Sequence, residues 1–245
     1  MKEQPKISVI IVTFNAGNFL QAALDSIYRQ RYPNIEIIVK DGGSTDNTVD
    51  ILKANAGKIG FYTSSKDKGI YDAMNQAVKH ATGDFIYFLG ADDTLYEVFS
   101  ELADQLADSS VIYYGSVMMG AKKTGAVKSP YHLAKTNICH QAIIYPASVF
   151  KKYQYSLDYP IDADHLLNIL CWNDKQYQFK YFDITIAYFN VTGVSSAKTD
   201  VLFEQHRPGI IYKYFGFSAW ARYVFRVFKV KVSARKKRMI NDESR

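Results

Sequence analysis

Cysteine is scarce in this sequence of 245 residues, which contains only Cys139 and Cys171. The two cysteines lie far apart and in no CxxC spacing, so they cannot supply a cysteine zinc site. Two isolated cysteines are typical of a protein kept in a reducing compartment, which favours a cytoplasmic location.

Long apolar runs are also absent. No stretch approaches the roughly 20 apolar residues that a membrane-spanning helix needs. The N-terminal residues MKEQPK lead directly into ISVIIV, without the apolar core and small-residue cleavage site of a signal peptide. The sequence therefore predicts a protein that neither spans a membrane nor is secreted through a signal peptide.

Acidic residues are missing between positions 207 and 238, a stretch that holds ten basic residues. Residues 1–204 carry 19 Lys and Arg against 22 Asp and Glu, a net charge of −3, although the whole chain carries +6. The positive charge thus belongs to one end of the chain. We divide the chain into a domain of residues 1–204 and a basic tail of residues 205–245.

Strand and helix patterns alternate through the first half of the chain. A continuous apolar run, typical of a strand buried on both faces, occupies residues 7–12, and further strands are predicted at residues 35–39, 61–63 and 85–89. Apolar residues recur at helical spacing between these runs, with Asn18 a candidate cap for the first helix. The alternation predicts an α/β fold with a mostly parallel central sheet flanked by helices.

The second half is less regular. Its patterns predict helices at residues 95–106 and 161–172, and strands at residues 111–114, 117–119 and within 179–190. No internal repeat or low-complexity linker interrupts it. The only shift in composition falls near residue 205.

Polar residues follow three of the predicted strands at their carboxyl ends. They are Thr13 and Asn15, Asp41, and the pair Asp92-Asp93. Ligands of open α/β sheets bind beyond the carboxyl ends of the strands, so we expect these side chains to share one edge of the sheet.

The adjacent carboxylates of Asp92 and Asp93 repel each other unless a cation or hydrogen-bond donors compensate. Mg²⁺ or Mn²⁺ typically binds through one or two carboxylates together with substrate phosphates. The alternative is that Asp93 caps the helix predicted to begin near Leu95. The position at a strand end, beside two other polar loops, favours a divalent metal site.

The segment DGGSTDNT, which begins at Asp41, contains neither a Walker A loop nor a dinucleotide-binding GxGxxG motif. Asp46 suits the N-cap of the following helix. Asp41 precedes two glycines, and a carboxylate there can accept a hydrogen bond from the N–H of a nucleobase.

Four segments occur in a fixed order: ISVIIVTFN, DGGSTD, DKGIYDAMN and ADD. Together they resemble family 2 inverting glycosyltransferases of the GT-A fold. The resemblance is dense over residues 5–100 and continues more thinly through ICHQAIIYP, PIDADHLLNIL and TGVSS. The most similar subgroup makes bacterial envelope polysaccharides, such as colanic acid and other exopolysaccharides. A nucleotide-binding half, about residues 1–95, and an acceptor-binding half, about residues 96–204, are thereby implied.

The resemblance implies roles for residues of the first half. Asp41 would pair with the nucleobase, Asp92 would reach the ribose or nucleotide, and Asp93 would hold the divalent metal that bridges the diphosphate. The complete set implied for the nucleotide and its sugar is Thr13, Asn15, Asp41, Lys68, Gly69, Asp72, Asn75 and Asp92. The chain departs from many relatives by having Met74 in place of an arginine, so a donor contact made by that arginine is missing.

The second half is implied to supply the acceptor side of the site. An inverting transferase needs a base for the acceptor hydroxyl, and Asp164 of the segment DADH matches the family position, with Asp162 as the fallback. The alternative is that these aspartates cap the helix that follows them. His140 and Gln141 are implied to lie beside the donor and acceptor pocket. Residues 193–196 are either a lid over the diphosphate or an ordinary loop.

The basic tail has an amphipathic pattern. At 100° per residue, Arg222, Arg226 and Lys229 lie opposite an apolar face formed by Phe217, Trp220, Ala221, Val224 and Phe228. With the basic run at residues 235–238, this pattern favours a helix at the surface of an anionic membrane. The alternative is a helix that packs its aromatic face against the domain.

These inferences together predict a metal-dependent hexosyltransferase at the inner face of the cell membrane. It would move a sugar from a nucleotide-diphosphate donor, a UDP-sugar by expectation, to a hydroxyl of a glycan or lipid-linked acceptor, with inversion. One alternative is a catalytically inactive nucleotide-sugar-binding module. A nucleic-acid binder acting through the basic tail is a weaker alternative, because the rest of the chain is acidic and has no recognition motif.

Overall fold

A computed structural model describes residues 4–191 and 199–243. Within these ranges nine strands form one mixed sheet, in the order β3-β2-β1-β4-β8-β6-β9-β5, with β7 paired to β6. The first four strands run parallel and confirm the predicted α/β half; they are β1 (Ile7–Thr13), β2 (Ile35–Asp41), β3 (Phe61–Ser64) and β4 (Phe85–Gly90).

Three helices cross over between these strands: α1 (Leu20–Tyr28), α2 (Thr48–Ala54) and α3 (Ile70–Val78). α1 buries Leu20, Ala23, Leu24 and Ile27 against the sheet, as its spacing predicts. Asn18 does not cap α1, because Phe19 occupies the N-cap position without a side-chain hydrogen bond. The packing places both faces of β1 and β4 in the core, whereas β3, at the edge of the sheet, has no fully buried residue.

The second half extends the sheet with antiparallel and parallel strands. β8 (Ile143–Pro146) pairs antiparallel with β4 and with β6 (Val111–Met119), and β9 (Gln178–Phe189) runs parallel to β6. The remaining elements are β5 (Thr94–Leu95), α4 (Phe99–Ala103), β7 (Lys122–Lys123), α5 (Pro130–Lys135), a 3-10 turn (His140–Ala142), α6 (Ala147–Lys152) and α7 (Ala163–Asn173). This mixed sheet with flanking helices confirms the predicted fold class.

The segment at residues 95–106 is not one helix. Thr94 and Leu95 pair with Tyr188 and Ala187 of β9, and only Phe99–Ala103 is α-helical. Sheet pairing therefore overrides the helical spacing. Consequently, Asp93 lies in the turn between β4 and β5 and does not cap a helix, which removes the alternative considered for it.

The tail forms the long helix α8 (Val201–Glu243), which bends at Gly216, where φ is 76°. The boundary predicted between residues 204 and 205 falls inside this helix. It separates the net negative part of the chain from the basic tail. Before the bend, Phe203 packs into the main hydrophobic core. After the bend, Ala219 and Tyr223 pack with Ala134 of α5. In the part of the chain that the structure describes, no helix is long and apolar enough to cross a membrane.

Candidate active site

The carboxyl ends of β1, β2 and β4 meet at one edge, as the sequence predicts. Thr13 lies opposite Asp41 in the β1–β2 register, and Val12 lies opposite Gly90 in the β1–β4 register. Thr13 Oγ1 is buried and makes no hydrogen bond within the described residues. Because buried hydroxyls are usually satisfied, this atom is available to a bound molecule.

The loops after β1 and β2 are joined by direct contacts. The Asn15 backbone N–H donates to Ser44 Oγ at 2.7 Å, and Asn15 Oδ1 accepts the Thr45 N–H at 2.9 Å. The hydroxyl of Thr48, followed by the N–H of Gly17, lowers the pKa of Asp46, whose carboxylate also accepts the N–H of Thr48. Asn15, predicted to meet the nucleotide, thus also shapes the pocket rim.

Phe14 is a feature that the sequence reasoning did not assign. Its side chain is 63% exposed and lies beside Gly42, where an added Cβ would come within 3.4 Å of the Phe14 ring. An exposed aromatic ring at this edge offers a flat apolar surface to a planar ligand. An apolar side chain inside an otherwise polar loop is the signal that identifies it.

Asp41 is fully buried, and donors of its own loop surround its carboxylate. Oδ2 accepts the N–H groups of Gly43 and Ser44 at 3.1 and 2.9 Å and the hydroxyl of Ser64 at 2.6 Å, while Oδ1 accepts the hydroxyl of Ser44. Gly43 has a φ of 85°, which suits glycine. Asp41 therefore holds the turn together, and its predicted contact with the nucleobase stays a prediction.

Lys40, which the sequence reasoning also did not assign, is buried directly beneath this turn. Its ammonium group donates to the carbonyl oxygens of Asp41 and Ser65 at 2.7 and 2.5 Å and lies 3.5 Å from Asp67 Oδ2. Asp67 in turn accepts the N–H of Gly69 at 2.9 Å. The sequence signal for this residue is a lysine inside an apolar strand. In the structure, Lys40 and Asp67 together hold the loop that carries Lys68 and Gly69.

The segment implied to meet the donor sugar is built around the start of α3. Asp72 accepts the backbone N–H of Lys68 and the side-chain amide of Gln76, both at 2.9 Å. The side chain of Asn75 exchanges two hydrogen bonds with the backbone of Tyr155 and so ties α3 to the second half. The exposed side chain of Lys68 remains the accessible charged group of this segment.

Asp93 is buried, with 2% of its surface exposed, and both of its carboxylate oxygens accept hydrogen bonds. Oδ1 accepts the Asn190 N–H at 2.7 Å, and Oδ2 accepts the side-chain amide of Gln141 at 2.5 Å. Burial raises the pKa of Asp93 above its usual range and the charge of Asp92 adds to the rise, although the two hydrogen bonds oppose it.

Asp92, by contrast, is half-buried, and no donor among the described residues contacts its carboxylate. Both aspartates fold back over Gly90, where a Cβ would lie 2.3 Å from Asp93 Oδ2 and 3.2 Å from Asp92 Oδ1. Any side chain at position 90 would displace them. The pair thus consists of one anchored carboxylate and one accessible carboxylate.

Gln141 and His140 connect the acidic pair to the second half. Gln141 Oε1 accepts the thiol of Cys139 at 2.6 Å while its amide holds Asp93. Burial raises the pKa of the Cys139 thiol, so that a nucleophilic thiolate does not form there at neutral pH. His140 Nδ1 lies 3.6 Å from Asp164 Oδ2, which brings the predicted base to the same site.

Asp164 is buried inside the first turn of α7, so it does not cap that helix. Its Oδ1 accepts the Tyr71 hydroxyl at 3.0 Å and the His165 N–H at 2.8 Å. Asp162 occupies the N-cap position but makes no capping bond through its side chain. Burial, followed by the charges of Asp164 and Asp200, raises the pKa of Asp162 to about 6.

Two predicted features lie outside what the structure describes. Residues 193–196, the candidate lid, fall between the two described ranges, and the side chains of the basic run 235–238 are likewise not described. All the other predicted site residues lie in the described ranges. Among these residues, no group of three or more His, Cys, Asp and Glu side chains converges on one point.

A family model and curated relatives among known proteins both identify the same family. The sequence model of glycosyl transferase family 2 matches residues 8–170. A PGL/p-HBAD biosynthesis glycosyltransferase of Mycobacterium tuberculosis is 38% identical over 221 residues, covering 83% of this chain and 84% of the relative.

Solved structures show the same fold at low sequence identity. TarS 1–349 of S. aureus, solved in complex with UDP-GlcNAc, aligns with a TM-score of 0.66 and 19% identity, covering 86% of this chain and 71% of that one. The mannosyltransferase PcManGT of Pyrobaculum calidifontis, in complex with GDP-Man and Mn²⁺, aligns with a TM-score of 0.63 and 20% identity, covering 87% and 64%.

Proposed function

Because the chain belongs to glycosyl transferase family 2 and has the GT-A fold, we propose that it transfers a sugar from a nucleotide-diphosphate donor with inversion. The observation that carries this proposal is the carboxylate pair at the end of β4, with Asp93 anchored and Asp92 accessible at the edge shared with Thr13 and Asp41. A UDP-sugar is the proposed donor, since TarS is solved with UDP-GlcNAc, although PcManGT is solved with GDP-Man.

The carboxylate oxygens of Asp92 and Asp93 are suitable ligands for a divalent cation, Mg²⁺ or Mn²⁺. Such an ion binds through one or two carboxylates and the phosphates of the donor, so it needs no third protein ligand. When bound, it neutralises negative charge that develops on the departing diphosphate. We propose that Asp92 offers the accessible lone pairs and that Asp93, whose predicted ligand role stays a proposal, completes or orients the site.

The nucleotide is proposed to bind over the loops after β1 and β2. The exposed ring of Phe14 would stack on the nucleobase, and Thr13 Oγ1 would gain the hydrogen bond that it does not make within the described residues. Lys68 is the accessible cation at the start of α3 and is placed to contact the donor. Asp41 and Lys40 hold these loops in shape.

Asp164 is the proposed base for the acceptor hydroxyl. Its Oδ1 is held by two protein donors, which leaves Oδ2 to accept the proton during a single direct displacement. Asp162 is the fallback, since a pKa of about 6 also suits a base near neutral pH. A chain that binds donor without turnover, the inactive-module alternative, would retain the pocket but not this proton transfer.

The acceptor is proposed to be a glycan or lipid-linked glycan of the bacterial envelope. The name of the 38% identical relative refers to PGL/p-HBAD biosynthesis, and the motif resemblance pointed to polysaccharide subgroups such as that of colanic acid. The reaction would then take place at the cytoplasmic face of the membrane. The acceptor-binding half is proposed to be residues 96–204, which carry His140, Gln141 and Asp164.

The tail is proposed to contact the anionic membrane surface. The predicted apolar stripe of α8 does not dock on the domain as a unit: Ala219 and Tyr223, which lie outside that stripe, are buried towards α5, with Trp220 and Val227 packed beside them. The aromatic rings of Phe217, Phe225 and Phe228 are 67, 59 and 62% exposed. Arg222, Arg226 and Lys229 lie on the other side of the helix, where the guanidinium of Arg222 stacks 4.2 Å from the centre of the Tyr131 ring of α5. Docking on the domain and an exposed aromatic face therefore occur in the same helix.

We expect the chain to float with vesicles of 30% phosphatidylglycerol and to bind phosphatidylcholine vesicles about 30-fold more weakly. The exposed side chains of Arg226 and Lys229 contribute about 1 kcal/mol each, and about 1.4 kcal/mol corresponds to tenfold in affinity. The double variant Phe225→Ser/Phe228→Ser should lose flotation, whereas Leu157→Ser, which alters an exposed apolar residue of the domain, should not.

Two outcomes would contradict this surface assignment. Equal binding to both vesicle types would remove the charge argument. A concentration-dependent dimer that the double variant abolishes, without flotation of the parent, would assign the face to a second copy. A parallel RNA-retention assay at rising salt tests the nucleic-acid alternative.

The proposed reaction is tested with a panel of UDP-glucose, UDP-galactose, UDP-GlcNAc and GDP-mannose. With Mn²⁺ present, we expect one donor to bind and to release its nucleoside diphosphate slowly by hydrolysis, and EDTA should abolish both signals. Binding without any release, with or without envelope glycolipid extracts as acceptors, would favour the inactive module. No binding of any donor would contradict the proposal.

A further inference from the structure

We propose that Tyr71 is a positioning residue that holds the base Asp164 in its reactive orientation. This inference rests on the proposed transfer reaction and on the role given there to Asp164. Tyr71 lies on α3, the helix that begins with the donor segment, and its hydroxyl reaches across to α7. The two residues are 93 positions apart in the chain.

The two oxygens of the Asp164 carboxylate have different surroundings. Oδ1 accepts the Tyr71 hydroxyl at 3.0 Å and the His165 N–H at 2.8 Å. Oδ2 has His140 Nδ1 at 3.6 Å, which is too long for a hydrogen bond. Two donors on one oxygen stop the carboxylate from rotating, so the same oxygen, Oδ2, is presented for the incoming proton.

Tyr71 is itself held rigidly. Its ring packs against that of Tyr155 with centroids 5.0 Å apart, and its hydroxyl also lies 2.6 Å from the carbonyl oxygen of Ile161. The single hydroxyl hydrogen is shared between the carbonyl oxygen of Ile161, the nearer acceptor, and Asp164 Oδ1, so that the hydroxyl ties both the backbone before α7 and the Asp164 side chain. Burial raises the pKa of Tyr71 well above its ordinary value, so the hydroxyl stays protonated and can donate.

The neighbouring hydroxyl of Tyr155 does not share this task. It is buried and makes no hydrogen bond within the described residues. Tyr71 is also the residue directly before Asp72, which accepts the N–H of Lys68 at 2.9 Å. One helix thus connects the donor loop to the base.

The test is Tyr71→Phe, which removes the hydroxyl and keeps the ring. Hydrolysis of the panel donor that the parent chain consumes fastest is followed with Mn²⁺, and the Kd of UDP is measured separately. We expect kcat to fall by about 10- to 100-fold, because a displacement of about 1 Å in a reacting group costs about that much. The donor KM and the Kd of UDP should stay within about twofold.

Tyr145→Phe is the matched control. Tyr145 is equally buried, and its hydroxyl donates to Asn168 Oδ1 at 2.7 Å, so this variant also loses one buried hydrogen bond. Its melting temperature should fall as much as that of Tyr71→Phe, while its kcat should stay within about twofold of the parent. Equal losses of kcat in the two variants would show that the loss comes from general destabilisation of the protein, and this result would overturn the inference.

Other outcomes separate this inference from the proposed function. An unchanged kcat in Tyr71→Phe would refute the role of Tyr71 and leave the transfer reaction standing. If UDP affinity falls by the same factor as kcat, Tyr71 maintains the shape of the nucleotide pocket, and the proposed positioning role is refuted. If the parent hydrolyses none of the four donors, the proposed function fails and this inference fails with it.

Discussion

The Asp164→Asn variant is expected to lose about 10²- to 10⁴-fold in the rate of donor hydrolysis and sugar transfer, the range that general base catalysis typically supplies. Asparagine keeps the shape of the side chain, and its oxygen can still accept the Tyr71 hydroxyl and the His165 N–H. Because the amide cannot take a proton, only the chemical step should suffer. The Kd of UDP with Mn²⁺, measured by calorimetry, should stay within about twofold.

Asp162→Asn is the control for this prediction. It should retain most of the turnover, since Asp162 is the fallback and not the proposed base. Burial raises the pKa of Asp162 to about 6 from 3.8, so the folded state binds its proton more tightly than the unfolded state does. The carboxylate therefore costs stability as pH rises from about 3.8 to 6, and Asp162→Asn should melt higher than the parent at pH 8 but not at pH 3.5.

The two variants give a clear decision between the candidates. A large loss of turnover in Asp162→Asn, with turnover retained in Asp164→Asn, would transfer the base to Asp162. Turnover retained in both variants would contradict any base in the DADH segment.

Asp92→Asn is expected to weaken the Mn²⁺-dependent binding of UDP by at least about 100-fold and to remove turnover. The accessible carboxylate would lose its charge, and an amide oxygen binds a hard divalent cation less strongly. Asp93→Asn should also abolish turnover, with a smaller loss of UDP affinity of about 10- to 100-fold, as is typical of groups that orient a metal ligand. Titration of UDP with and without Mn²⁺ measures both effects.

Asp50→Asn is the matched control, because Asp50 is an exposed carboxylate on α2 whose only ion pair in the described residues is with Lys53. It should bind UDP like the parent. Unchanged Mn²⁺-dependent affinity in Asp92→Asn would show that the cation does not use this carboxylate. UDP binding that is insensitive to EDTA in the parent would contradict the metal dependence altogether.

The strands and crossovers of the first half are predictable from the sequence because each depends on local pattern. Continuous β-branched runs such as residues 7–12 are buried on both faces, and they fall where the structure has β1, β2 and β4. The edge at which their polar ends meet then follows from parallel topology alone. The position of the candidate site is therefore available without any tertiary contact.

The helix predicted at residues 95–106 was wrong because its spacing competes with a distant partner. Leu95 pairs with Ala187 of β9, more than 90 positions later, and no local pattern reveals that pairing. The same distance hides how the site is held. Gln141 and Asn190 reach Asp93 across 48 and 97 positions, so the sequence shows two adjacent acids but not which of them is anchored.

The tail shows a different limit of periodicity. The spacing correctly predicts a helix with an apolar stripe, but it does not indicate how far round the helix the domain reaches. Packing of Ala219 and Tyr223 towards α5 covers one side and leaves Phe217 and Phe228 exposed. The helix docks through residues outside the predicted stripe, while the aromatic rings of Phe217 and Phe228, which the docking alternative would have buried, stay exposed.

The most direct measurement of the central claim is anomalous difference density from crystals of the chain soaked with MnCl₂ and UDP. We predict one strong peak between the Asp92 carboxylate and the diphosphate, with the uracil beside Phe14 and the diphosphate within reach of Lys68. A peak elsewhere, or UDP bound without metal near Asp92, would contradict the account.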